Sequence, residues 1–238
     1  MKNPLLAVYR PFFMIFLGLN TFVLAIMIIA ISVVDSKGDI VHYIGKFWSR
    51  MNLFLSGARI KVHGLDNVKK GQSYVVMSNH QSHYDVWAMI GYIPLQLRWV
   101  IKRELRKIPA FGIGCERMGH IYIDRSDSSK SREELQVIRD KFKAGSSVVF
   151  FPEGSRSDDG KLKPFKKGGF VMALQGEVPI LPVTVQGSRF VLAKGSKKFY
   201  PGTIDIYIHP PVETDGYSYE TKEKLMDEVR ISIQSKIS

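Results

Sequence analysis

Tyr74-Val75-Val76-Met77-Ser78-Asn79-His80-Gln81-Ser82-His83-Tyr84-Asp85 is the stretch whose reading decides the fold. Tyr74 to Ser78 has the composition of a short buried strand, and Ser82 followed three residues later by Asp85 has the form of a helix start. On one continuous helix, residues five apart are about 500° apart in turn, which would leave His80 and Asp85 pointing about 140° away from each other. The two side chains meet only if a strand gives way to a helix between them, with His80 in the connecting loop and Asp85 in the first helical turn. The carboxylate can then take one ring N–H and leave the other ring nitrogen as a general base. Two other readings share the segment. Ser82-x-x-Asp85 is also the pattern of a capping box with His80 an ordinary loop residue, and His80-x-x-His83-x-Asp85 carries metal-ligating residue types. The metal reading lacks a compact HxH or HExxH element, and the single Cys115 offers no thiolate set.

Outward from this stretch, short β-rich runs alternate with helical segments from residue 58 onward, without internal repeats, which predicts an α/β domain. Strands are expected at 59–63, 74–78, 97–101, 121–123, 147–151, 180–186 and 203–208. The clearest helix is expected over 131–144, capped by Ser131 and Glu134, with Leu135, Ile138 and Phe142 on one face and Gly145 as its stop. A last amphipathic helix is expected over 219–237.

Residues 11–34 carry no charged side chain. At 1.5 Å per residue such a helix is about 36 Å long, enough to cross hydrocarbon. A cleaved signal peptide fits less well, because the run is long and no small-x-small site follows it. Gly18-Leu19-Asn20-Thr21 interrupts the run, so a straight span and a bent or re-entrant insertion both remain open. Ile40, Val41, Ile44, Phe47, Trp48, Met51, Phe54 and Leu55 then recur at helical spacing, the pattern of a helix that lies in an interface or packs on the domain. The expected division is a membrane-associating helical region over 1–57 and an α/β domain over 58–238.

The chain has 238 residues, with 34 Lys plus Arg against 22 Asp plus Glu, and the net charge of +12 calls for an anionic partner. The charge-free N-terminal run selects a membrane over nucleic acid. One cysteine excludes an intrachain disulfide framework and fits a reducing compartment.

Three further segments follow in order: Gly119-His120-Ile121-Tyr122-Ile123-Asp124-Arg125, Phe151-Pro152-Glu153-Gly154-Ser155-Arg156 and Val178-Pro179-Ile180-Leu181-Pro182-Val183. With the first segment they resemble the four ordered blocks of the glycerolipid acyltransferases, most closely the 1-acyl-glycerol-3-phosphate acyltransferases, over residues 74–185. Ser155 stands where many members carry Thr, which keeps the hydroxyl. Trp99-Val100-Ile101-Lys102-Arg103-Glu104-Leu105 and Pro164-Phe165-Lys166-Lys167-Gly168-Gly169 resemble bacterial members.

The resemblance implies a mixed sheet flanked by helices, and acyl transfer from acyl-CoA or acyl carrier protein to the sn-2 hydroxyl of lysophosphatidate, giving phosphatidate. It implies direct attack by the hydroxyl without an acyl-enzyme, and no cofactor beyond the thioester co-substrate. His80 would be the base and Asp85 its partner. Acceptor binding would fall on Arg125, Glu153, Gly154, Ser155 and Arg156, with Lys102 a further cation near the acceptor or the developing oxyanion. The residue chemistry agrees: an unactivated alcohol needs a base, and a guanidinium meets phosphate oxygens through two parallel hydrogen bonds. No GxSxG element surrounds Ser155, which argues against a serine nucleophile.

Glu153 has two roles open, binding the glycerol hydroxyl or holding Arg156. Lys161, Lys163, Lys166 and Lys167 form a basic loop facing headgroups, the donor or solvent, and the fourth block is expected to be a strand wall. The implied location is a membrane, the bacterial inner membrane in a bacterium, with the domain on its cytoplasmic face. Rival readings are an acyltransferase for another lysophospholipid or glycerol 3-phosphate, a silent lipid-binding membrane protein, and a metal-dependent lipid hydrolase.

Overall fold

The computed structural model describes residues 4–35, 38–123 and 131–237, and for 131–135 the backbone only. Strands β1 (Ala58–His63), β2 (Val75–Ser78), β3 (Leu97–Lys102), β4 (Ile121–Ile123), β5 (Ser147–Phe150), β6 (Ile180–Gln186) and β7 (Gly202–Ile208) form one sheet in the order β1-β7-β6-β2-β5-β3-β4. From β6 to β4 all neighbours are parallel, β7 runs antiparallel to β6, and β1 is parallel to β7. Every expected strand is present within one residue of its expected bounds. The sequence made this possible because central parallel strands are covered on both faces and so read as unbroken apolar runs.

Side chains from Tyr74 into β2 alternate between two cores. Tyr74 and Val76 join Tyr84, Met89, Leu97 and Trp99 on one face, while Val75 and Met77 join Ile138, Phe170, Leu225 and Val229 on the other. The first face is covered by α3 (His83–Tyr92), and the second by α5 (Ser131–Lys143), α6 (Gly168–Gly176) and α8 (Lys222–Gln234). Short helices α4 (Phe111–Arg117) and α7 (Ser188–Val191) complete the domain. Ile138 and Phe142 are buried on the expected face of α5, and Gly145 stops it at φ +78°. The expected cap residues Ser131 and Glu134, and Leu135, have side chains outside the described residues.

Helices α1 (Pro4–Ile31) and α2 (Asp39–Leu55) form an antiparallel hairpin laid on this domain. Helix α1 starts ahead of the charge-free run and passes through Gly18–Thr21 unbroken, with Asn20 Nδ2 and Thr21 Oγ1 bonded back to the carbonyls of Phe16 (2.7 Å) and Leu17 (2.6 Å). The same polar residues dock α1 on α2: Asn20 Nδ2 donates to Asn52 Oδ1 at 3.3 Å, and Trp48 Nε1 donates to Thr21 Oγ1 at 3.1 Å. Helix α2 buries Val41, Gly45 and Leu53 on the domain, while Ile40, Tyr43, Phe47 and Phe54 stay exposed. Its packing on the domain is therefore one of the two expected arrangements, and its outer face is apolar as well. Arg50 and Lys46 of α2 donate to the carbonyls of Gly91 (2.7 Å) and Ile93 (3.3 Å), placing positive charge at the C-terminal end of α3. Among the described residues, α1 is the one helix long and apolar enough to cross a membrane by length and composition.

Candidate active site

Strand β2 ends at Ser78 and α3 begins at His83, so His80 lies in the junction between them. Asn79 sets the exit from the strand. Its side-chain amide exchanges two hydrogen bonds with the Val185 backbone, at 2.8 and 2.9 Å, and so continues the β2–β6 ladder beyond the last paired residue. His80 Nδ1 then meets Asp85 Oδ2 at 2.8 Å. The same oxygen accepts the backbone N–H groups of Gln81 (2.7 Å) and Ser82 (2.8 Å), while Ser82 Oγ accepts from the Tyr84 N–H at 3.2 Å. Capping box and His–Asp pair are thus one object: a single buried carboxylate oxygen starts the helix and orients the imidazole. A carboxylate with two N–H donors already on it takes a third, so the ring proton is assigned to Nδ1 and Nε2 is left as an acceptor. The His80 side chain is 15% exposed.

Strand β5 lies beside β2, with Phe150 opposite Met77, and this register delivers the next loop to His80. The Phe151 ring stacks on the imidazole, centroids 3.8 Å apart and planes within 8°, and Trp99 backs Phe151 at 5.5 Å. Glu153 Oε1 accepts the His80 N–H at 2.7 Å and Oε2 accepts the Lys163 N–H at 2.9 Å. The His80 carbonyl accepts from the Ser157 N–H at 2.7 Å. The histidine's backbone is therefore gripped on both sides by one loop. Burial pushes the Glu153 carboxyl above its ordinary range, and the two N–H bonds pull the other way. At 4% exposure its oxygens face two loop backbones, those of His80 and Lys163.

Gly154 makes the turn that follows, at φ +71°, a left-handed conformation that favours glycine. Ser155 is exposed, and its Oγ accepts from Lys163 Nζ at 3.1 Å. That ammonium also donates to the Arg156 carbonyl at 2.6 Å, and the Lys163 carbonyl accepts from Arg230 Nη1 of α8 at 2.8 Å. Two lysines of the basic loop, Lys163 and Lys166, are thus folded onto the Glu153–Arg156 turn. Arg156 is half-buried and close enough to His83 to bear on its charge. The His83 pKa is lowered first by partial desolvation, although the side chain keeps solvent access, and then by the Arg156 charge.

Lys102 ends β3 and is exposed. Arg125 lies two positions beyond the end of β4 and outside the described residues. His80, Phe151 to Arg156 and Lys102 all follow or end parallel strands at the carboxyl edge of the sheet, the edge at which open α/β sheets take ligands. Among the described residues no three His, Cys, Asp or Glu side chains are grouped to hold a metal ion. Sequence reading gave no role to Phe151 or Arg230, and took Lys163 only as part of the basic loop. The first lies inside a quoted segment, whereas Arg230 acts across 67 residues and left no local signal.

An imidazole with a fixed tautomer beside a cationic turn is equipped to deprotonate a hydroxyl on an anionic molecule. A family model described as acyltransferase matches residues 59–186. The chain belongs to this acyltransferase family, within its 1-acyl-sn-glycerol-3-phosphate acyltransferase group. It is 32% identical over 218 residues to the human 1-acyl-sn-glycerol-3-phosphate acyltransferase alpha, covering 90% of this chain and 77% of that one. The chloroplastic LPAT1 of Arabidopsis thaliana, also a 1-acyl-sn-glycerol-3-phosphate acyltransferase, is 29% identical over 226 residues, covering 91% and 63%. The crystal structure of PlsC from Thermotoga maritima, a 1-acyl-sn-glycerophosphate (LPA) acyltransferase, matches with a TM-score of 0.80 at 26% identity, over 98% of this chain and 95% of that one.

Proposed function

We propose that the protein transfers a fatty acyl group from acyl-CoA or acyl carrier protein to the sn-2 hydroxyl of 1-acyl-glycerol 3-phosphate, forming phosphatidate. The 2.8 Å contact between His80 and Asp85 carries this reading. His80 Nε2 takes the hydroxyl proton as the oxygen attacks the thioester carbonyl, so a C–O bond forms and the carbonyl π pair moves onto its oxygen. Asp85 balances the imidazolium. On collapse the C–S bond breaks, and the imidazolium returns the proton to the departing thiolate. Attack is direct, since Ser155 is held by Lys163 and sits in no nucleophile elbow.

Arg156 binds the acceptor phosphate, with Ser155, Lys102 and Arg125 as further ligands and Gly154 giving the turn its close approach. Phe151 and Glu153 are positioning residues: one fixes the ring plane, the other the loop that carries it. No cofactor is invoked.

The hairpin attaches this machinery to the membrane along one leaflet. Helix α1 is docked from Tyr9, whose hydroxyl donates to the Leu55 carbonyl at 2.8 Å, to Ala25, which faces Gly114 of α4, so a crossing would pull the domain's own surface into hydrocarbon. Residues 1–57 serve attachment and 58–238 serve transfer, on the cytoplasmic face, in a bacterium that of the inner membrane, where acyl thioesters are made available. Membranes containing the protein, given a labelled acyl thioester and a panel of acceptors, should label lysophosphatidate ahead of glycerol 3-phosphate and of lysophospholipids with other headgroups. Transfer to another acceptor first would move the assignment within the family, and transfer to none would leave a silent lipid-binding protein.

A further inference from the structure

The segment between α7 and β7 reaches from the active site to the anchor. At one end the Leu192 carbonyl accepts from Ser82 Oγ at 2.7 Å, two residues from His80, and Lys194 pairs with Asp158 at 2.8 Å on the loop beyond Arg156. At the other end Phe199 is buried against Phe13 of α1, ring centroids 4.8 Å apart, and its carbonyl accepts from Arg10 Nε and Nη2 at 3.0 and 2.8 Å. The Arg10 guanidinium also lies 4.6 Å from the centre of the exposed Tyr200 ring. Between these fixed ends Lys197 and Lys198 are exposed. Tyrosine beside cations is the side-chain set that favours the headgroup layer, where an amphipathic ring and a long basic side chain each keep a polar tip in water.

We infer that this segment, with Lys197, Lys198 and Tyr200 outermost, is a second membrane contact that binds anionic headgroups next to the apolar hairpin. The inference rests on the membrane reading of α1 and α2. Three features select the occupant. The segment meets α1 through Phe199, beside an open apolar groove of about 230 Å³ that Tyr9, Phe12, Phe13 and Phe16 of α1 and Leu55 of α2 line. Its charge is complementary to anionic lipid. Its other end is bonded to Ser82, two residues from His80, which ties the contact to the active-site loop.

The test uses the full chain with Lys197→Cys carrying a nitroxide, and a control label at Lys70→Cys. Lys70 is exposed in the loop before β2, at the opposite edge of the sheet, and the native Cys115 is buried. On vesicles of equal parts phosphatidylcholine and phosphatidylglycerol, the label at 197 should lose collisions with a water-soluble relaxant, and the label at 70 should not. Lys197→Glu with Lys198→Glu should weaken partition onto those vesicles by at least roughly five-fold per lysine, with partition onto phosphatidylcholine alone unchanged. A label at 197 that stays as accessible as that at 70 on vesicle-bound protein overturns the proposal while leaving the hairpin reading intact. Protein that attaches to neither vesicle overturns the hairpin reading and this proposal with it.

Discussion

Between residues 80 and 82 each backbone N–H goes to a carboxylate, that of His80 to Glu153 and those of Gln81 and Ser82 to Asp85. The α1–α2 hairpin is held differently, by packed apolar side chains with a few polar contacts at Tyr9, Arg10, Asn20 and Thr21. Two buried carboxylates define the first region, so it should fail sharply when one atom set is lost. Packed area defines the second, so single changes there should cost little.

The largest expected effect is at the base. His80→Ala should lower transfer by ~10²–10⁴-fold, and His83→Ala should retain substantial activity because Asp85 orients only His80. Initial rates at matched protein amounts decide it, and equal losses would return the paired histidines to a shared role. Next comes Glu153→Ala, which leaves two half-buried backbone N–H groups without their acceptor, at up to about 1–3 kcal/mol each. Denaturant unfolding should show the loss, and kcat should fall with it as the His80 loop slackens.

Third, Arg156→Ala should raise the apparent KM for lysophosphatidate far more than that for the thioester. The loss of charge-assisted bonds is about 1.5–3 kcal/mol, and Arg156→Lys should recover only part of it. A defect confined to the donor would move Arg156 to the other pocket. The smallest effect is expected in the hairpin. Tyr9→Phe removes one hydrogen bond at an exposed position and should cost no more than about 0.5–1.5 kcal/mol, with transfer unchanged. Deleting residues 1–34 is a different matter, because it strips Phe13 from Phe199 and should both loosen membrane attachment and lower the unfolding temperature.

What was legible in the sequence follows the same division. Buried parallel strands announce themselves as apolar runs, and the strand-to-helix junction was forced by the geometry of a five-residue spacing. The roles of Glu153, Lys163 and Arg230 were not legible, because a carboxylate that binds two backbone N–H groups looks the same in sequence as one that binds a ligand. Asn20 and Thr21 read as flaws in an anchor, yet they are the contacts that register α1 on α2. A polar residue in an apolar run can break a helix or dock it, and only the partner distinguishes the two. Helix α2 shows a related ambiguity, since apolar residues on both of its faces gave one periodic signal for two surfaces.

The central claim is that the charge of Asp85, beyond its part in starting a helix, supports the chemistry at His80. Asp85→Asn tests it most directly. An amide oxygen in the place of Oδ2 can keep all three hydrogen bonds, and the amide nitrogen would fall at Oδ1, a buried atom that has no partner among the described residues. The cost to stability should therefore stay within about 1–3 kcal/mol, leaving a folded protein in which a neutral group faces the imidazole. Transfer of a labelled acyl group to lysophosphatidate by this variant, measured beside its unfolding curve, should fall by ~10²–10⁴-fold with the fold retained. Near-native transfer by a folded Asp85→Asn protein would contradict the account and leave Asp85 as a helix cap alone.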